Sequence, residues 1–443
     1  MNKRKRNIIN SPKINGNSQI DSIPYLREMG IKIEERKQSI QFYPNINEHI
    51  HRWAPYVQGF SASFVQSIFD QYKSEYKKPN ILDPFSGCGT VLVQAKLNGY
   101  KSVGIELNPL LQFISDTKLN NWNISPKSLI TIFKNLPKNE KSNIPKFLKT
   151  EKHFNRNILE NLRIIKGSID QYNPKSINQK KIKNLLLLAF SSILIDCSNL
   201  KRSPCLGYCK NKIVKDQTPF ILMDEKIQNI ADDLKIIRSN YKNFINIPSK
   251  VYLANSRDFN VNEFFDLVIT SPPYMNGMDY VINYKIEMGW LNFVDCQKKL
   301  KNIKNEMVAC DNVSKKLIDE FSKRDNNYNS ERIEKIKVNI FRNIKKRGSY
   351  RRQDMPNIVH KYFDDMYQII KNVISVIRVG GRFILVVGDS LIADVYIPTD
   401  LIIAQIGREL GMKIEKIEKA RERRSGQIRS YKLRESIITL KKE

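Results

Sequence analysis

The segment from Asn80 to Glu106 limits what this chain can fold into more than any other. Asn80-Ile81-Leu82-Asp83 is a short apolar run of the kind that forms a buried strand. It leads into Asp83-Pro84-Phe85-Ser86-Gly87-Cys88-Gly89-Thr90, a turn holding two glycines. Val91 to Leu97 has the character of a helix and is closed by Asn98-Gly99. Ser102-Val103-Gly104-Ile105-Glu106 then reads as a second strand with an acid at its C-terminal end. Strand, turn, helix and strand in so short a span make a β-turn-α-β unit, the opening of a doubly wound α/β sheet.

The pattern that follows is interrupted twice. Residues 121–250 are helical, rich in Lys and Asn, and broken by Pro126, Pro137, Pro145, Pro174 and Pro204. Strands return with Val251-Tyr252-Leu253-Ala254 and Phe265-Asp266-Leu267-Val268-Ile269-Thr270. Residues 297–356 are charged again, with 17 Lys and Arg against 8 Asp and Glu. Beyond them Ile358 to Ile377 predicts an amphipathic helix, and Arg382 to Gly388 a strongly apolar strand. Leu401 to Leu410 predicts another helix, and Lys413 to Glu418 and Glu435 to Leu440 two closing strands. The expected organisation is a basic N-terminal arm over 1–40 and a sheet domain over 41–120, 251–296 and 357–443. A helical insertion over 121–250 and a basic insertion over 297–356 interrupt it.

A turn between a strand and a helix lies at the carboxyl edge of such a sheet, where ligands bind. Gly87 and Gly89 allow positive φ and close backbone approach. The turn lacks the Lys-Ser/Thr ending of a phosphate-cradling loop and is not G-x-G-x-x-G. Glu106 at the end of the next strand can accept both hydroxyls of a ribose. A G-x-G turn alone is often no more than a tight turn. Asp83, Phe85 and Glu106 together describe a site for a nucleoside cofactor without a pyrophosphate, and S-adenosyl-L-methionine fits.

The second signal ends the strand at Phe265–Thr270. Ser271-Pro272-Pro273-Tyr274 is a rigid turn in which two prolines remove two N–H groups. What remains is rich in acceptors, with the Ser271 side chain and nearby carbonyls, and Tyr274 supplies an aromatic face. An exocyclic amine on a base has two N–H donors and a flat ring, so this turn can accept from the amine while Tyr274 stacks. That requires the base to be swung out of a duplex. Alignment of the amine with a sulfonium methyl supplies most of the acceleration. The acceptors favour the positive charge developing on nitrogen.

D-P-F-S-G-C-G-T followed by T-S-P-P-Y resembles the S-adenosylmethionine-dependent amino-methyltransferases of DNA, which act on cytosine N4 or adenine N6 from a Rossmann-like sheet. The resemblance covers 41–120, 251–295 and 357–443, about half of the chain. It implies that Asp83, Pro84, Phe85, Ser86, Gly87, Gly89 and Thr90 form the cofactor motif, with Glu106 as the ribose-binding acid. It implies that Ser271, Pro272, Pro273 and Tyr274 form the catalytic motif. Phe60 matches an upstream stretch of the cofactor pocket. Asn255 stands where an acid usually meets the cofactor's adenine, with Asp258 as a second candidate for that contact. Tyr280 to Trp290, Val387-Gly388-Asp389-Ser390 and Leu433-Arg434-Glu435-Ser436-Ile437 are similar to stretches of the cytosine-N4 branch. Ser at the head of the catalytic motif favours cytosine N4; adenine N6 is the alternative. An RNA base methyltransferase and an inactive nucleic-acid-binding scaffold are further alternatives. The resemblance also implies double-stranded DNA as partner, site-specific action, and a cognate restriction endonuclease beside it.

Charge agrees with a polyanionic partner. The 443 residues carry 75 Lys and Arg against 45 Asp and Glu, a net of +30. Abundant Ile, Lys and Asn suggest an A+T-rich coding sequence, so part of the Lys excess is codon bias. Lys345 to Arg352 and Arg421 to Arg424 read as phosphate-contacting surface or as solvated basic stretches. Ser198 to Ser203 reads as a DNA approach or a solvated helix end. No run of about 18 apolar residues is present, so no membrane span is expected. No secretory leader is expected either. Six unevenly spaced cysteines do not form a disulfide framework, which points to the cytoplasm. Cys197, Cys205 and Cys209 lack zinc-site spacing, and no metal is expected. Pro204-Cys205 resembles the Pro-Cys pair of cytosine-C5 enzymes, but Leu206 follows it, and Ser271 to Tyr274 would then have no task.

Overall fold

The computed structural model describes residues 16–36, 40, 43–54, 56, 59–203, 205–277, 279–347, 352–425, 428 and 430–443. One eight-stranded sheet organises them. Its strands are β1 (Ile33–Glu35), β2 (Ile81–Asp83), β3 (Ser102–Glu106), β4 (Ser249–Leu253), β5 (Phe265–Thr270), β6 (Ile377–Gly388), β7 (Met412–Arg424) and β8 (Lys432–Lys442). They lie in the order β1-β7-β8-β6-β5-β2-β3-β4. Every pairing is parallel except those of β8 with its two neighbours, β6 and β7. This is a Rossmann-like, doubly wound sheet. β2, β3, β5 and β6 read as apolar runs because helices cover both faces.

The helices that cover the sheet are α1 (Ala62–Tyr72), α2 (Thr90–Leu97), α3 (Pro109–Asn120), α4 (Met355–Ser375) and α5 (Thr399–Glu409). Local chemistry starts them where they start. Ser61 caps α1 by accepting from Phe64 N at 3.1 Å, and Asn108 caps α3 by accepting from Leu110 N at 3.0 Å. Pro109 opens α3 at a position with no N–H to lose. The chain leaves β2 toward β3 and β4 on one side and returns to β5 on the other. The strand order therefore reverses between β2 and β5, and the crevice at their carboxyl ends is where such sheets bind ligands.

The N-terminal expectation needs correction. Residues 1–15 of the expected arm lie outside the described residues, but Ser18–Asp21 and Ile23–Met29 are helices and β1 extends the sheet edge parallel to β7. β1 is only three residues long, too short for periodicity to mark it as a strand. Tyr431 donates to Asp21, and Arg434 donates to Ser22 Oγ at 3.0 Å.

Both insertions share core with the sheet domain. Helices Arg156–Gln171, Ile177–Ile193 and Thr218–Asn240 bury Leu162, Leu186 and Leu234 in one apolar cluster with Leu92 and Leu110 of α2 and α3. Buried Asp233 of that insertion accepts from Ile50 N at 2.9 Å and Trp53 Nε1 at 2.8 Å, so it anchors the segment leading to Tyr56. A two-stranded hairpin, Leu200–Arg202 with Leu206–Tyr208, interrupts the helices. In the second insertion, Glu331–Arg347 packs Ile336 and Ile340 into one apolar cluster with Tyr362 and Met366 of α4. Among the described residues, no helix is long and apolar enough to cross a membrane.

Candidate active site

Two turns that lie far apart in the chain meet at the carboxyl ends of β2 and β5. Thr270 Oγ1, at the end of β5, donates to Asp83 Oδ1 at 2.7 Å. Phe85 N donates to the same oxygen at 3.1 Å. Burial pushes the Asp83 carboxyl up to about 7, and these two hydrogen bonds offset it only in part.

Glu106 closes the turn from the neighbouring strand. Its Oε2 accepts from Gly87 N at 2.8 Å and its Oε1 from Asn108 N at 2.8 Å. Burial again dominates and raises its pKa to about 7. Each carboxylate oxygen keeps lone-pair capacity for a ligand hydroxyl. Above this floor lies a cleft whose wall includes Asp83, Phe85, Ser86, Gly87, Thr90 and Glu106. Phe60 and Asn255 also line it, as do Ser271 and Pro273.

Several expected contacts fall elsewhere. Pro84 is off the wall; its carbonyl accepts from Ser256 Oγ and so ties the turn to the β4–β5 connection. Gly89 is also off the wall. It has φ of 85°, and a Cβ there would sit 2.4 Å from Ser115 Oγ, so its task is close packing on α3. Gly87, with φ of 51°, is the glycine of this turn that faces the cleft. Asp258 is exposed and lies off the wall. Asn255 is on the wall, and its Nδ2 donates to Glu306 Oε2 at 3.2 Å. Glu306, from the second insertion, lines the cleft beside it. The chain segment holding Glu306 carries no motif, so nothing in its sequence marked it.

Ser271 belongs to two cavities. The second shares Gly59, Phe60, Ser271 and Tyr280 with the first. Ser271 Oγ donates to Val386 O of β6 at 3.2 Å, which leaves its lone pairs to accept. Tyr274 lines only the second cavity, and Pro272 is buried behind the turn. Tyr274 Oη donates to Glu435 Oε1 at 2.8 Å, and the Arg423 guanidinium sits 5.5 Å from its ring centroid. Burial, reinforced by Glu435, keeps the Tyr274 phenol protonated. Its ring therefore already has one cationic neighbour, where the sequence suggested an open stacking face.

The basic stretches also separate. Arg421 and Arg423 line the second cavity with Glu435, while Arg421, Glu422 and Arg424 are also exposed to solvent. Arg352 donates to Asp311 O at 3.1 Å and pairs with Asp354, so it is used inside the fold; residues 348–351 lie outside the described residues. Arg202 pairs with Glu287 and donates to Asn283 O at 2.9 Å, which docks the hairpin, while Lys201 and Ser203 beside it are exposed. Its guanidinium lies 4.4 Å from the Tyr284 ring centroid, and Tyr284 and Tyr280 each stack with Tyr56 at the cleft wall. That hairpin brings exposed Cys205 to the second cavity, nearer the chemistry than an insertion suggested; Pro204 lies outside the described residues.

No protein-family model matches the chain. It is similar along most of its length to proteins named as type II methyltransferases. It is 25% identical over 414 residues to M.AvaI of Nostoc sp. strain PCC 7120, covering 86% of this chain and 83% of that protein. It is 24% identical over 446 residues to M.BsoBI of Geobacillus stearothermophilus, covering 88% and 83%. It is 24% identical over 408 residues to M.MvaI of Kocuria varians, covering 85% of each.

Proposed function

We propose that the chain is a site-specific DNA amino-methyltransferase. It transfers a methyl group from S-adenosylmethionine to the exocyclic amine of a flipped base, cytosine N4 in preference to adenine N6. It acts in the cytoplasm beside a cognate restriction endonuclease. The observation that carries this reading is the place of Ser271, an acceptor that lines both the cleft over Glu106 and a second cavity. The type II methyltransferase relatives and the net charge of +30 support it.

The residues of the first cleft fit the cofactor. Ser86 Oγ and Asn108 Nδ2 are buried there without a hydrogen-bond partner among the described residues. Orphaned polar atoms on a cleft wall call for a polar ligand. Glu106 would hold the ribose hydroxyls, and Asn255 with Glu306 the adenine. Bound S-adenosylmethionine supplies an electrophilic methyl on sulfur. Ser271 Oγ accepts one N–H of the target amine, with its own proton on Val386 O, and so aims the nitrogen lone pair at the cleft. Pro272 and Pro273 hold that geometry before the base arrives. As nitrogen becomes positive, the Ser271 dipole is already aligned to favour it.

Mass spectrometry of nucleosides from DNA of cells expressing the protein tests this, beside an empty-vector control. N4-methylcytosine is the expected product. N6-methyladenine would keep the site and change the base. 5-Methylcytosine would move the chemistry to Cys205. Absence of any methylated base in DNA would overturn the reading.

A further inference from the structure

The second cavity is lined by an acceptor, Ser271, and by two cations, Arg421 and Arg423. Arg421 and Glu435 face each other across β7 and β8, and both line the cavity. Arg421 gives Glu435 the side edge of its guanidinium, Nε to Oε2 and Nη2 to Oε1, the latter at 3.3 Å. Its end edge, Nη1 with the outer hydrogen of Nη2, takes no part in that pair. Glu435 also accepts from Tyr274 Oη, so one buried carboxylate sets both the tyrosine and the arginine. A second donor on the same wall, Arg423, has a buried Nε with no partner among the described residues.

We infer that Arg421, held by Glu435, is a specificity-determining residue that reads the two adjacent ring acceptors of a flipped cytosine. The inference rests on the amino-methyltransferase reading of the same cavity and deepens it. Along its pairing edge cytosine presents an amine donor, then N3 and O2 as acceptors. Ser271 as acceptor and the two-donor end of Arg421 form the complement of that order. Adenine presents its amine, then N1, then a C–H. One donor of the fork would face that C–H with no acceptor on the base to meet it, which counts against adenine. Glu435 fixes the guanidinium plane before the base arrives, so little side-chain freedom is lost on binding.

The test uses the full chain, wild type, Arg421→Gln and Arg421→Lys. It measures methyl transfer to unmodified duplex DNA, product nucleosides by mass spectrometry, S-adenosylhomocysteine affinity by calorimetry, and thermal unfolding. Arg421→Gln should keep S-adenosylhomocysteine affinity within about twofold and lower kcat/KM on DNA by about 30-fold or more, the scale of a lost bidentate base contact. Arg421→Lys keeps the charge on the strand but offers no fork, so it should regain only part of that loss, and it carries the test if the Gln variant does not fold. A folded Arg421→Gln variant within about threefold of wild type overturns the inference, since a lost fork is worth more than that. So does a loss of rate that only tracks a loss of S-adenosylhomocysteine affinity or of thermal stability, the mark of a structural cross-strand pair. A wild-type product of N6-methyladenine overturns the ring-acceptor assignment and leaves the enzyme reading standing. Wild type that binds S-adenosylhomocysteine but methylates no DNA overturns the enzyme reading itself.

Discussion

Ser271 has one hydrogen and two lone pairs to place, and the fold spends the hydrogen on Val386 O. Ser271→Ala should therefore keep S-adenosylhomocysteine binding and lose about 100-fold in turnover, the scale of a missing preorganised dipole at a charged transition state. Single-turnover kinetics beside calorimetry would separate the two effects. Glu106 gives a pH signature. Burial raises its carboxyl to about 7, so folding takes up a proton there. Its contribution to apo-protein stability is complete below about pH 4 and is lost as the pH rises through about 7. A ribose that needs the carboxylate binds better over that same interval. S-adenosylhomocysteine affinity should tighten by up to about tenfold between pH 6 and pH 8, and Glu106→Gln should bind weakly with a flat profile. These residues were legible because each ends a recognisable strand or turn. Glu306 and Arg421 were not, because neighbours in the chain say nothing about which side chains meet across a cleft.

At the scale of elements, the glycine turn and the hairpin make different demands. Gly89 carries φ of 85° and leaves no room for a Cβ beside Ser115. Gly89→Ala should cost about 1–3 kcal/mol, visible as a lower unfolding midpoint. The hairpin Leu200–Arg202 with Leu206–Tyr208 stays docked through Arg202 on Glu287, both largely buried. Arg202→Ala leaves Glu287 without its cation and should cost about 3 kcal/mol in a denaturant titration. Leu206 N also donates to Asn283 Oδ1 at 2.6 Å, so the hairpin and the segment around Asn283 form one unit. Helices and strands of the sheet domain lay close to where periodicity put them, since each has a long apolar face. β1 and the hairpin strands are three residues long and owe their pairing to neighbours already in place.

Over the whole molecule, the excess of +30 is a field that no single residue owns. Affinity for duplex DNA should fall about 1,000-fold or more between 50 and 200 mM salt if six or more phosphates are neutralised. A flat response in fluorescence anisotropy would mark the lysine excess as codon bias alone. Some of that charge is already used inside the fold. Arg434 is buried against Asp400 at 2.8 Å, and Arg382 holds Glu415 at 2.7 Å. The insertions share apolar clusters with the sheet domain, so neither is a free-standing appendage.

The amino-acid sequence by itself determined the α/β class, the two motif-bearing turns and the order in which the chain visits them. Apolar periodicity, glycine and proline act over a few residues, and so they can be read along the chain. Only the tertiary structure decided that Ser271 lies between two cavities, that Glu306 joins the first and that Arg421, Arg423 and Glu435 wall the second. Those neighbours come from β7, β8 and an insertion, and strand register and helix packing alone bring them within reach.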